Sequence, residues 1–314
     1  MPAAARVDPK DFFTAEEWAP LVARSSWKGL AMVAHCWALI IGAAALGLWD
    51  PWMIPLSIMV IGARQLGLAI LMHEAAHGAL HPNKAVNDFV GHWLCAVPVG
   101  ASLHAYRPYH LSHHRFAQQA EDPDLVLSAP FPVTRASLGR KIVRDLTGQT
   151  FFKQRIRPLL GLFGVRAADI PEGGRITARS AAPFFLVQLG MAAATSAAGY
   201  WQAWPLFWLL PMATWFPLVT RLRNIAEHAV TPDPADPLRH ARTTRANWLE
   251  RLLIAPYWVN YHCEHHMFMY LPAYSLPKAH RLLAKKGVTE RMEVRRGYLS
   301  VLRMASARGL ATGN

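Results

Sequence analysis

The sequence predicts an all-α integral membrane protein, with four transmembrane helices in two hairpins and a cytosolic helical cap that carries the candidate site. Three observations lead there. Hydrophobic residues make up 53% of the 314 residues and charged residues only 17%, against about 25% charged in ordinary soluble domains. Four apolar stretches approach the roughly 20 residues that a helix needs to cross a bilayer. Finally, Lys and Arg, apart from Arg64, avoid those stretches and the tight turns that join them in pairs.

The spans run over about 29–49, 51–72, 181–200 and 203–220. Asp50 alone separates the first two, and Trp201 with Gln202 the last two, so each pair reads as a hairpin. A further apolar segment, about 89–103, is too short to span and is interrupted by Pro98 and Gly100. It reads as re-entrant or interfacial. Arg64 is costly in lipid and should face the bundle interior or a wet cavity, the competing account being that it snorkels to the interface. Ahead of the spans, Thr14 and Glu17 form a capping box for a short helix, either at the membrane surface or as an ordinary cytosolic cap. The polar N-terminus, with Asp11, Glu16 and Glu17, does not read as a cleavable signal peptide. The whole chain, 1–314, reads as one domain.

Charge fixes the orientation. Of 33 Lys and Arg, four precede Gly29, thirteen lie from Lys84 to Arg179 and fifteen follow Thr220. By the positive-inside rule the N-terminus, central loop and C-terminal region are cytoplasmic. The net charge of +13 is thus explained by topology and anionic headgroups rather than nucleic acid. Three scattered cysteines, Cys36, Cys95 and Cys263, exclude a disulfide framework or an iron–sulfur cluster.

The 15 histidines are clustered. His73 and His77 stand at i, i+4 directly after the second span. His110 with His113 and His114, and His262 with His265 and His266, stand at i, i+3, i+4. Asn224 and His228 are again i, i+4. Residues so spaced share a helix face, so each cluster is expected to aim its imidazoles at one point. Neutral imidazole binds zinc, copper, iron or nickel. The two-hairpin topology puts every cluster on one side of the membrane. Nine imidazoles suit two ions better than one. His35, His92, His104, His240 and His280 read as ordinary structural histidines.

At these residues the sequence resembles the membrane fatty acid desaturase superfamily. The pattern HxxxH, HxxHH, HxxHH is matched by His73–His77, His110–His114 and His262–His266. Asn224 to His228 is similar to the family's additional ligand element. The likeness extends to Glu121-Asp122-Pro123-Asp124 and to the Met267–Pro272 run. The resemblance implies two non-haem irons held by His73, His77, His110, His113, His114, His228, His262, His265 and His266, with Asn224 acting through a water. It also implies O2 as co-substrate and removal of two hydrogens from an acyl chain of a membrane lipid or carrier. Glu74 and Asp124 are the foremost candidates to orient metal-bound rings, with Glu121, Glu227 and Glu264 behind them. Electrons would come from a separate ferredoxin, rubredoxin or cytochrome, since no such module is present in the chain. Lys141, Arg144, Lys153, Arg155 and Arg157 could dock an acidic carrier. The closest alternative is a lipid hydroxylase or a carotenoid ketolase or hydroxylase of the same superfamily. A metal transporter would place its ligands at mid-membrane. A zinc protease built on His73-Glu74-Ala75-Ala76-His77 would leave the other clusters idle.

Overall fold

The computed structural model describes residues 6–160 and 177–307. Arg166 and Arg175 of the basic central loop lie outside the described residues. Helix α1 (Ala15–Val22) opens with the expected capping box, each of Thr14 and Glu17 accepting the other's backbone N–H. Its Leu21 is fully buried in a small core with Phe13, Phe268, Leu271 and Leu283. Burying such a side chain contributes about 1.5–3 kcal/mol. That contact ties the N-terminus to the C-terminal region.

Helices α2 (Lys28–Trp49) and α3 (Ile54–Ala76) form the first hairpin, α3 being preceded by a 3-10 turn at Pro51–Met53. Asp50 turns the corner, its carboxylate accepting from Trp52 N–H at 3.0 Å. Helix α3 is the hub: 67% of its apolar window is buried, against 33% for α2. This explains why both faces of α3 are apolar.

After α3 the chain runs through α4 (Lys84–Phe89), a π-turn at Val90–Ala96 and a 3-10 turn at Val97–Val99. The segment expected as re-entrant is thus an irregular helix lying against α3. A Cβ on Gly91 would come within 2.2 Å of Ala75 Cβ, so glycine is what allows this close approach. Gly100, at φ +71°, ends the segment in the left-handed conformation that glycine adopts without strain. Helix α5 (Leu103–Phe116) follows, with Ser102 as its N-cap.

Helix α6 (Ala178–Ala197) is the third helix long and apolar enough to cross a membrane, and only 11% of its window is buried. Polar side chains attach it. Gln188 donates to Pro98 O at 3.1 Å and accepts from Trp204 Nε1 at 3.3 Å.

The fourth apolar stretch is not one helix, contrary to expectation. It is divided into a π-turn at Pro205–Leu209, a helical turn at Leu210–Ala213, a break at Thr214 and then α7 (Trp215–His228). Pro211 supplies the reason. It has no N–H for the carbonyl one turn back, and its ring crowds that turn. Wider π geometry absorbs the misfit. Thr214 Oγ1 then donates to Leu210 O at 2.7 Å, meeting a carbonyl at the break.

Beyond α7 lie β1 (Thr243–Arg245), α8 (Trp248–Leu253), α9 (His262–Met267), α10 (Leu276–Lys285) and β2 (Val294–Arg296). The strands pair in parallel, Thr243 opposite Val294. Arg64 is buried, as expected. Its guanidinium donates to the carbonyls of Arg251 at 3.1 Å and Leu252 at 2.6 Å. These are orphan acceptors at the C-terminal end of α8, where a cation is favoured.

Candidate metal centre

Four helices bring the histidines together: α3, α5, α7 and α9. Arg107 on α5 clamps the end of α3, donating to Ala76 O at 3.1 Å and Ala75 O at 3.0 Å while pairing with Asp88. Tyr106 stacks on His110 with 5.1 Å between ring centroids. Beneath α9, Glu264 accepts from Thr243 and from His280, joining α9 to β1 and α10.

The ligand-type nitrogens fall into two groups. One comprises His73, His77, His110, His114 and His265; the other comprises His113, His228, His262 and His266. Within each group these atoms lie within 4.8 Å of one another. The expectation that each cluster aims at one point holds for His73 and His77. It fails for the other two. His113 parts from His110 and His114, and His265 parts from His262 and His266. Neighbouring residues on a helix project about 100° apart, so the two rings of an adjacent pair point into different groups.

The distances test whether metal ions fit. His110 Nε2 lies 2.9 Å from His77 Nε2 and 3.0 Å from His114 Nε2, which is itself 3.0 Å from His265 Nε2. In the second group His262 Nε2 is 2.9 Å from His228 Nε2, and His113 Nε2 is 3.2 Å from His266 Nε2. Two nitrogens bound at right angles, each about 2.05 Å from one ion, stand about 2.9 Å apart. An imidazole nitrogen offers one in-plane direction, for a proton or a lone pair. His110 and His114 each face two nitrogens and cannot hydrogen-bond to both. His73 Nε2 is buried without a partner. Burial pushes His110, His114, His228, His262, His265 and His266 well below the ordinary imidazole value, and His77 down to about 3. Neutral rings are the form that ligates. The site is compatible with a metal pair.

The outer contacts depart in part from expectation. Asp122, rather than Asp124, orients a ring: its Oδ1 accepts from His113 Nδ1 at 2.8 Å, whereas Asp124 Oδ2 stands 3.8 Å away and receives Tyr109 OH on its other oxygen. Asp122 was visible within the Glu121–Asp124 run; its closer approach comes from the turn after α5. Glu74 is 3.4 Å from His73 Nδ1 and also accepts Ala273 N–H at 2.7 Å, joining α3 to the chain beyond α9. Glu227 is 3.4 Å from His262 Nδ1 and pairs with Arg223. Asn224 lies outside both nitrogen groups. It lines a cavity of about 20 Å³ with His113, His228 and His262, which is room for about one water.

His240, read from sequence as structural, adjoins the site. Its carbonyl accepts from His228 Nδ1 at 3.1 Å, and its ring stands 5.3 Å from that of His266. No spacing signal marks it, because a loop delivers it. His280 lies outside both nitrogen groups and donates from Nδ1 to Glu264. Arg155, expected on a docking face, turns inward and donates to Gly100 O.

A helical protein with membrane-length helices and two groups of imidazoles has the make-up of a membrane-associated protein able to hold metal ions. Residues 50–296 match the family described as fatty acid desaturase, and the chain belongs to that family. It is 27% identical to the dihydrorhizobitoxine desaturase of Bradyrhizobium elkanii, over 74% of this chain and 68% of that one. It is 24% identical to the chloroplastic omega-6 fatty acid desaturase of Brassica napus, over 82% of this chain and 59% of that one. It is also 24% identical to the sn-1 oleoyl-lipid 12-desaturase of Synechocystis sp., over 79% and 75%. The chain thus spans about three fifths of the length of the plant relative.

Proposed function

We propose that the protein is an O2-dependent desaturase acting on the acyl chain of a membrane lipid or acyl carrier. The observation that carries this reading is the convergence of nine imidazoles, eight of them buried and His266 partly so, into two adjacent groups. His73, His77, His110, His114 and His265 would hold one iron. His113, His228, His262 and His266 would hold the other, with Asn224 reaching it through a water. Iron supplies the oxidant made from O2 that an unactivated methylene C–H bond requires. The protein's own residues do the positioning. Asp122 keeps the proton of His113 on Nδ1, leaving Nε2 free to point inward. Burial of the rings excludes bulk water. The family supports a lipid substrate, and electrons would arrive from a separate carrier.

The proposed topology keeps two hairpins, the second formed by α6 and the broken segment that leads into α7. The charge distribution and the clustering of all nine histidines in two adjacent groups support cytoplasmic termini and a cytoplasmic central loop, in one domain. Expression in a host of defined lipid composition, followed by lipid mass spectrometry, tests the reaction. A product lighter by two hydrogens supports desaturation, while a gain of one oxygen would instead mark a hydroxylase.

A further inference from the structure

Away from the nine clustered histidines, a groove of about 740 Å³, with His35 on its wall, runs between α2, α3 and α8. None of the nine histidines lines it. Its walls carry three cations, Lys28, Arg64 and Arg251, and no carboxylate. Trp27 precedes α2 and is 64% exposed; Trp248 begins α8 and is 71% exposed. Tryptophans so placed mark the headgroup level of a bilayer. From Lys28 the groove follows α2 through Ala31 and Met32 to Leu39. Those twelve residues of helix descend about 16 Å, about half of a hydrocarbon core. The groove therefore has a cationic end at the headgroup level and an apolar run at acyl depth. Tyr257 and Trp258 wall it with left-handed backbone, at φ +51° and +58°. Non-glycine residues adopt that conformation at some cost and only where the surroundings hold it.

We propose that this groove binds one anionic phospholipid of the bilayer, its phosphate on Lys28 and Arg251 and one acyl chain along α2 towards Leu39. Basic pockets between spans on the cytoplasmic side recognise anionic headgroups in this way. Charge complementarity favours an anionic lipid over a zwitterionic one, whose own ammonium would meet the cations Lys28 and Arg251. The bound lipid is a resident of the protein and is distinct from the acyl chain that reacts.

Native mass spectrometry of the purified full chain tests this, with phosphatidylglycerol and phosphatidylcholine offered in equal amounts. Preferential retention of phosphatidylglycerol, by about tenfold or more for two cations on one headgroup, is expected. The double variant Lys28→Gln with Arg251→Gln should lose the preference, and Ala31→Trp, which fills the groove and leaves the charges, should retain neither lipid. Arg140→Gln, an exposed cation elsewhere, should behave as the unaltered chain does. Equal retention of the two lipids, or a preference that survives the double variant, overturns the proposal. So does recovery of the retained phosphatidylglycerol with two hydrogens fewer, which would make the groove the substrate's own. Metal content, measured in parallel, should not change in these variants, so a failure here is distinct from a failure of the metal-centre reading.

Discussion

His113 and Asp122 are joined by a 2.8 Å hydrogen bond from Nδ1 to a carboxylate oxygen, and Nε2 of the same ring points at His266 Nε2, 3.2 Å away. Asp122 is held in turn by the N–H groups of Gln118 and Asp124, each at 2.8 Å. The turn after α5 therefore sets the tautomer of a ligand-type ring. Asp122→Asn retains the shape and removes the charge. It should weaken metal binding by about 10–100-fold, read by competition with a chelator. Unchanged affinity would show that the carboxylate does not tune this ring.

Adjacent histidines serve different groups, so their variants should differ in kind. His265→Ala removes a nitrogen from the five-membered group and His266→Ala one from the four-membered group. Both should abolish turnover and lower bound iron, and His113→Ala should do the same. Mössbauer spectra of the iron that remains should differ between His265→Ala and His266→Ala. Identical spectra would argue against two separate centres.

Asn224 faces a cavity sized for about one water beside His113, His228 and His262. Asn224→Ala should retain most iron while losing most activity, since a contact through water adds little to affinity. Full activity in that variant would remove Asn224 from the chemistry.

Metal-free protein should be sensitive to acid. Burial holds His77 at about 3 and lowers His110, His114, His228, His262, His265 and His266. On unfolding these rings return to about 6.5. The unfolded chain then binds more protons, so stability rises with pH across the window below about 6.5 and is lost as pH falls through it. The thermal midpoint of chelator-treated protein should drop between about pH 7 and about pH 5. A flat profile would show that these rings are not held neutral.

Much of the site was legible because ligands must be particular residue types at helical spacing. His73 with His77 and His110 with His114 each satisfy that rule and each serve a single group. The partition of the doubled histidines was not legible, since it depends on where the facing helices stand. His240 carries no spacing signal at all, and the choice of Asp122 over Asp124 rests on a turn. The fourth apolar stretch passed as a continuous span because hydropathy ignores backbone geometry. Its prolines, Pro205 and Pro211, were the available warning. Arg64 was read correctly as inward-facing, but only the structure shows what it holds.

Arg64 grips the end of α8 from within α3, the same helix whose last turns carry His73 and His77. The surface helix and the reactive pocket are thereby fixed to one rigid rod. A thinner or thicker bilayer can tilt that rod but cannot change the spacing between its two attachments. The protein itself thus acts as a ruler, fixing how far along α3 the histidines stand from the helix that Arg64 holds.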